Sequence, residues 1–231
     1  MISLVFVFYV FVGLAAVIGA VRGWAKETLV LISALLAIFI IYVFEAYVPI
    51  YRAVVFPTPK QHQVAAGDTC DYVADVLGTT VPKMLTANNI ELADGEVCTL
   101  TEGKIMVYEP KTSRFWASTG IILVLAFFGY QTPALKVFQA GARREKVRDA
   151  LLGGVFGAAN GYLIFGSIWW FLEKAGYENF SKVMVEPQVG SALAETANTL
   201  LSRMPPVYLL NAPVILITIG LAFVFILIVY V

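Results

Sequence analysis

A chain of 231 residues has room for one or two soluble domains, but 59% of this one is apolar and only 14% is charged. Soluble domains run at about 45–50% and about 25%. Sixteen basic residues balance sixteen acidic ones, so no net positive field invites a nucleic-acid partner. Where the charges lie says more than their sum.

Residues 1–21, 115–135, 150–172 and 204–231 carry no charge, and 28–51 carry only Glu45. A helix needs roughly 20 apolar residues to cross a hydrocarbon core of about 30 Å. Five spans are predicted, near 2–21, 28–50, 115–135, 150–172 and 207–231. The first does not read as a signal peptide, because no Lys or Arg precedes its apolar run and the run outlasts the usual core. Backbone polar groups cannot stay unpaired in lipid, so each run is expected to be helical. Pro49, Pro133 and Pro213 lie near span ends, where a missing donor costs least.

The Lys and Arg count sets the expected orientation. The first connection holds Arg22 and Lys26, and the third holds Lys136, Arg143, Arg144, Lys146 and Arg148. The second, 51–114, has six basic residues against eight acidic ones, and the fourth, 173–206, has three against four. Basic and acidic connections alternate as five crossings require. The N-terminus and the acidic connections 51–114 and 173–206 are expected outside the membrane, with the basic turns and the C-terminus inside. Tyr47, Tyr51, Trp116, Trp169, Trp170 and Tyr208 then form an outer aromatic belt, with Trp24 at the inner face.

Residues 61–110 differ from their surroundings. Pro57 and Pro59 mark the start and Pro110 the exit. Gln61-His62-Gln63-Val64 reads as a short strand, followed by Gly67-Asp68-Thr69. Asp68 or Thr69 can cap a helix over 70–77 that stops at Gly78. Thr80 can cap a second helix over 81–87 ending at Asn88-Asn89, and Lys104–Tyr108 reads as a closing strand. His62 is the only histidine, and neither cysteine stands at ligand spacing from it, so it reads as a surface-strand residue rather than part of a metal site.

This strand–helix–helix–strand order resembles the lysin-motif (LysM) domain. The matching residues are Val64, Gly67-Asp68-Thr69, Val73-Ala74, Gly78-Thr79-Thr80-Val81, Leu85, Asn88-Asn89-Ile90, Leu100, Gly103 and Ile105. The stretch 91–99 departs from it by a few extra residues. The resemblance implies binding of an N-acetylglucosamine-containing glycan, such as peptidoglycan or chitin, in a shallow groove between loops 66–70 and 87–91. The implied site residues are Gly67, Asp68, Thr69, Cys70, Asn88, Asn89 and Ile90, with Ile90 as an apolar floor. A second reading stays open, in which Asp68 and Thr69 only cap a helix and Asn88-Asn89 only turn the chain. Cys70 and Cys98 resemble the extra cysteines of disulfide-bearing members. Both lie in the segment placed outside, where disulfides persist, and a structural bridge is expected over two buried thiols.

The membrane part has its own signature. Arg22-Gly23-Trp24-Ala25-Lys26-Glu27 is so short a turn that spans one and two must be antiparallel neighbours. Asp149, Gly153, Gly157 and Gly161 open span four, and glycines at i, i+4 and i+8 share one helix face that lets another backbone approach. Ala16, Gly19 and Ala20 offer a complementary face on span one. These features resemble the colicin V production protein family of bacterial inner-membrane proteins over roughly 1–50 and 115–172. The inserted domain and the fifth span depart from that family's four-span pattern. The resemblance implies an association with toxin secretion and envelope maintenance, and no reaction.

Glu45 is expected to reach headgroups at the outer end of span two. An ion relay needs several ionisable groups facing one another at membrane depth, and only Asn160 and Asn211 stand ready to join it. The positions Val189, Leu193, Ala197, Leu200 and Met204 suit an amphipathic helix over 188–204, lying on the outer leaflet or packed on its neighbours. There is no Ser/His/Asp set, no metal cluster, no phosphate-binding glycine loop before a Lys and no carboxylate pair with a clear cleft, so neither an enzyme nor a cofactor is expected.

The expected architecture is thus a mainly α polytopic membrane protein of about five spans with a small α+β (βααβ) extracytoplasmic insert. Its parts are a hairpin over 1–56, the insert over 57–112, a second hairpin over 113–173, and an amphipathic segment plus last span over 174–231. The expected function is attachment of the membrane body to an N-acetylglucosamine polymer. The alternatives are a secretion or transport component, or an accessory subunit that contacts other membrane subunits or itself. The expected partners are the lipid bilayer and the glycan.

Overall fold

The computed structural model describes residues 3–90, 97–131, 146–177 and 192–230. Most of the stretch 91–99, together with Pro133, Lys136, Arg143, Arg144 and Val189, lies outside them. The chain is mainly helical and divides into two compact units, one of Met1–Arg52 with Thr112–Val231 and one of Ala53–Lys111. The insert thus begins a few residues earlier than predicted.

In the first unit, α1 (Leu4–Arg22) and α2 (Trp24–Tyr47) are joined by Gly23 alone. Gly23 has φ 88°, a backbone angle that glycine reaches without strain. A short α3 (Pro49–Val55) follows. Beyond the insert come α6 (Thr112–Gln131) and α7 (Lys146–Lys174). These four long helices, α1, α2, α6 and α7, are each long and apolar enough to cross a membrane.

The predicted last span differs in detail. The predicted amphipathic segment contains α8 (Ala192–Leu201), and the predicted span 207–231 holds the end of α9 (Pro205–Leu209) and α10 (Ala212–Tyr230). The path bends by 72° between 194–209 and 212–228, and the two parts make a fifth span if the bent pair counts as one. Proline explains the break, since Pro213 has no N–H to give to the carbonyl of Leu209 and the helix must restart. Asn211 is exposed at this restart, where its carbonyl accepts the amide of Ile215. It joins no relay.

The first unit's core runs along one stripe of α2, through Val30, Ala34, Ala37, Ile38 and Ile41, all buried. Phe115, Ile122 and Ala126 of α6 and Ile164, Phe171 and Leu172 of α7 complete it. Of the predicted amphipathic positions, Ala197 and Met204 are buried in the same core and Leu200 packs against it. The α8 segment therefore packs on its neighbours. Trp169, placed in the aromatic belt, is buried instead and donates its indole N–H to Tyr177 Oη. Tyr47, Trp116 and Tyr208 are exposed.

The helix-packing reading of the glycines holds at α1–α7. A Cβ on Gly19 would overlap the Gly153 carbonyl and lie 2.8 Å from Gly157 Cα. One on Gly157 would overlap the Ala15 carbonyl and lie 3.0 Å from Gly19 Cα, and one on Gly161 would lie 2.8 Å from Ala15 Cβ. Backbone meets backbone here, the close approach that small residues on facing helices allow.

The second unit has the predicted order: β1 (Lys60–Gln63), α4 (Cys70–Leu77), α5 (Val81–Ala87) and β2 (Ile105–Tyr108). The strands pair antiparallel with Gln63 opposite Ile105. Its own core consists of Val64, Val73, Ala74, Leu77, Met84, Leu85, Met106 and Tyr108, with Cys70 at its edge.

Candidate functional site

The two predicted loops of the insert are organised from within. After β1, Gly67 turns the chain at φ 89°. Asp68 does not cap α4; one of its carboxylate oxygens accepts the Ala65 N–H at 2.8 Å and lies 2.8 Å from His62 Nε2. These two hydrogen bonds, the one to His62 first, hold the Asp68 carboxyl below its ordinary pKa. Thr69 is the cap, its Oγ1 accepting the Tyr72 N–H at 3.2 Å. At the other end of α4, Gly78 takes the left-handed conformation that closes a helix. Thr80 occupies the cap position of α5 without a side-chain hydrogen bond.

After α5, the two asparagines separate in role. Asn88 donates Nδ2 to the carbonyls of Met84 and Val107, and its Oδ1 accepts the Val107 N–H at 2.9 Å. Its side chain is consumed in pinning the end of α5 to β2. Asn89 is exposed with φ 53° and turns the chain. Ile90 is half-buried against the insert's core, and its N–H bonds to the Leu85 carbonyl.

Cys70 and Cys98 form a disulfide with a Cα–Cα distance of 6.2 Å. It ties the end of the loop after β1 to the connection between α5 and β2. Of the seven predicted site residues, Cys70, Thr69 and Asn88 are spent on the bridge, a cap and a strand pin. Gly67, Asp68, Asn89 and Ile90 leave surface for a ligand. His62 gains a role that sequence reasoning missed, bonding Asp68 and lying edge-on to the exposed Tyr72 ring at 5.9 Å.

The first unit holds two polar crosslinks, and both correct the reading of its charges. At one end, Glu27 is fully buried in the first turn of α2. Arg22 Nη1 donates to its Oε1 at 2.9 Å, and Asn160 Nδ2 of α7 donates to its Oε2 at 2.8 Å. Arg22 also donates to the Tyr130 carbonyl of α6, with its guanidinium 4.5 Å from the Tyr130 ring centre. Asp149 accepts the Trp24 N–H and so caps α2 from α7. Four helices meet in this cluster.

At the other end, Glu45 takes a two-pronged bond from Arg114, at 2.7 and 2.8 Å, rather than reaching for headgroups. The Arg114 guanidinium lies over the rings of Trp170 and Phe171. A carboxylate with an Arg within hydrogen-bonding reach gains more from that fork than from exposure. The signal for the pair was present in the sequence, with Glu45 the one charge of the second predicted span and Arg114 just ahead of the third, but the two lie 69 residues apart.

Compared with protein-family models, curated proteins and solved structures, the chain matches none.

Proposed function

We propose that the chain is a bacterial membrane protein whose insert, on the outer side, binds an N-acetylglucosamine-containing glycan and so attaches the helical body to the envelope. The observation that carries this reading is the Cys70–Cys98 bridge, which fixes the end of the first predicted groove loop, 66–70, to the connection that continues from the second, 87–91. A preorganised pair of loops loses little freedom on binding. The backbone between Ala65 and Asp68, set by the Asp68 carboxylate, offers amide and carbonyl groups for an acetamido group, and half-buried Ile90 offers an apolar face.

The placement is supported by the four long apolar helices and by the basic residues at one end of the bundle. Arg22, Lys26, Lys146 and Arg148 lie near the α1–α2 turn and the start of α7, the end expected in the cytoplasm. A secretion or transport passage has less support. Glu27 and Glu45 are closed off by Arg22, Asn160 and Arg114, an arrangement that fastens helices together.

The full chain in lipid nanodiscs should pellet with insoluble peptidoglycan and stay in solution with cellulose. A cysteine replacing Glu102 should react with an impermeant reagent on intact cells, and one replacing Lys146 only after lysis. Equal pelleting on both polymers would leave the insert as a protein-contacting element.

A further inference from the structure

The membrane body carries a groove that neither polar crosslink uses. Helices α1 and α6 both pack on α7, and between them lies a cavity of about 820 Å³. Its walls are Phe11 and Leu14 of α1, Phe127 and Tyr130 of α6, and Ile164 and Phe165 of α7. Phe11 and Phe165 stack at 4.3 Å, whereas Leu14 and Phe127 stand more than half exposed. A second membrane helix is a poor fit, because such helices close on one another through small residues. Of the small residues at this groove, Ala15 and Gly161 are already pressed together in the α1–α7 contact and Ala126 is buried in the core. Bulky apolar walls suit a flexible hydrocarbon chain.

One end of the groove is charged. Tyr130 lies there beneath the Arg22 guanidinium, whose side chain is partly exposed. A guanidinium carries five N–H donors in a fork that matches a phosphate. Two of them go to Glu27 and the Tyr130 carbonyl. The exposed Lys26 and Lys146 stand on the first turns of α2 and α7, which Asp149 holds together at this same end. Apolar walls and a basic rim at one end describe an amphiphile with an anionic head.

The geometry points to a binding site for one anionic phospholipid of the surrounding bilayer, its acyl chain in the α1–α6 groove and its phosphate on Arg22. The site rests on the membrane placement proposed above. It gives the bundle a fixed lipid at the end that bears the Arg22–Glu27–Asn160 cluster, so lipid headgroup and helix packing are coupled through one side chain.

Native mass spectrometry of the full chain tests this, after equilibration with equal phosphatidylglycerol and phosphatidylcholine. One retained lipid is expected, with phosphatidylglycerol enriched roughly fivefold, the worth of one basic residue at an anionic lipid surface. Leu14→Trp and, separately, Leu123→Trp, at another lining residue of α6, fill the groove from opposite walls and should abolish retention. Equal retention of the two lipids would overturn the site, as would unchanged retention in both tryptophan variants. So would tryptophan variants that instead dissolve a dimer, which would make a second copy the occupant. Alkaline carbonate extraction of membranes separates the two claims. A chain that stays in the membrane but keeps no lipid fails only the groove, whereas a chain that washes out fails the placement and the groove together.

Discussion

Asn160 of α7 donates its side-chain amide to both the carboxylate and the backbone carbonyl of Glu27 on α2, at 2.8 and 2.9 Å, across 133 residues of sequence. Both residues are fully buried. A buried carboxylate needs its donors, because losing one leaves a desolvated charge unmatched. Asn160→Ala should therefore destabilise the bundle by about 1.5–3 kcal/mol, the range for hydrogen bonds to charged groups. Asn160→Asp should do more harm, by setting a second carboxylate against the first. Thermal unfolding of the full chain in detergent checks both. Wild-type melting of Asn160→Ala would show that Arg22 alone satisfies Glu27.

The glycines give a contrast within one helix pair. A Cβ on Gly157 would run into the backbone of Ala15 and Gly19, which no side-chain rotation relieves. A Cβ on Gly13 would meet nothing within 4 Å. Gly157→Ala should lower the melting temperature and Gly157→Leu should lower it further. Gly13→Ala should be neutral or stabilising by up to about 1 kcal/mol, the helix-propensity difference. Equal responses at the two positions would mean that α1 and α7 are not in close contact.

The sequence was most legible where information is local. Both insert helices and their stops follow from Thr69, Gly78 and Asn88, and the helix over 70–77 has the predicted bounds. The four long apolar helices follow from three charge-free runs and one, 28–51, that carries a single charge. Pairings across the chain were not legible: Glu27 reads as a turn residue and Glu45 as a headgroup residue until Asn160 and Arg114 are placed beside them. Asn88 shows the same limit, since its two-sided bond to Val107 depends on β2 arriving 19 residues later. The bend before α10 was signalled by Pro213, but hydropathy runs through a bend without changing.

The disulfide closes a separation of 28 residues. In the chain-entropy model a loop of that length contributes about 3–4 kcal/mol, a large share for a unit with so small a core. Reductant should speed amide hydrogen exchange throughout α4 and β2 while leaving α2 and α7 unchanged. Two free thiols in unreduced peptides, by mass spectrometry, would remove the bridge.

Asp68 ties the loop after β1 to its own strand, and the His62 and Ala65 bonds hold its carboxyl below the ordinary value. The sign follows directly. The bonds contribute fully above the unfolded pKa of about 3.9 and are lost as pH falls through the lower folded value. The Ala65 amide resonance should titrate with a midpoint below about 3.9, and Asp68→Asn should abolish that titration. A midpoint at or above the ordinary value would contradict the pairing.

The central claim is that the insert holds a glycan between the loops 66–70 and 87–91, and retention on peptidoglycan measures it most directly. Each net hydrogen bond contributes only about 0.5–1.5 kcal/mol, so single short oligomers should bind weakly and polymer should hold better through raised effective concentration. Nanodiscs carrying the full chain should pellet with peptidoglycan. Ile90→Asp should lose most of that retention while its disulfide and melting are kept, and Asp75→Ala, on the exposed side of α4, should behave as wild type. A folded chain that leaves peptidoglycan in the pellet and itself in solution, or an Ile90→Asp variant that pellets as well as wild type, would contradict the claim.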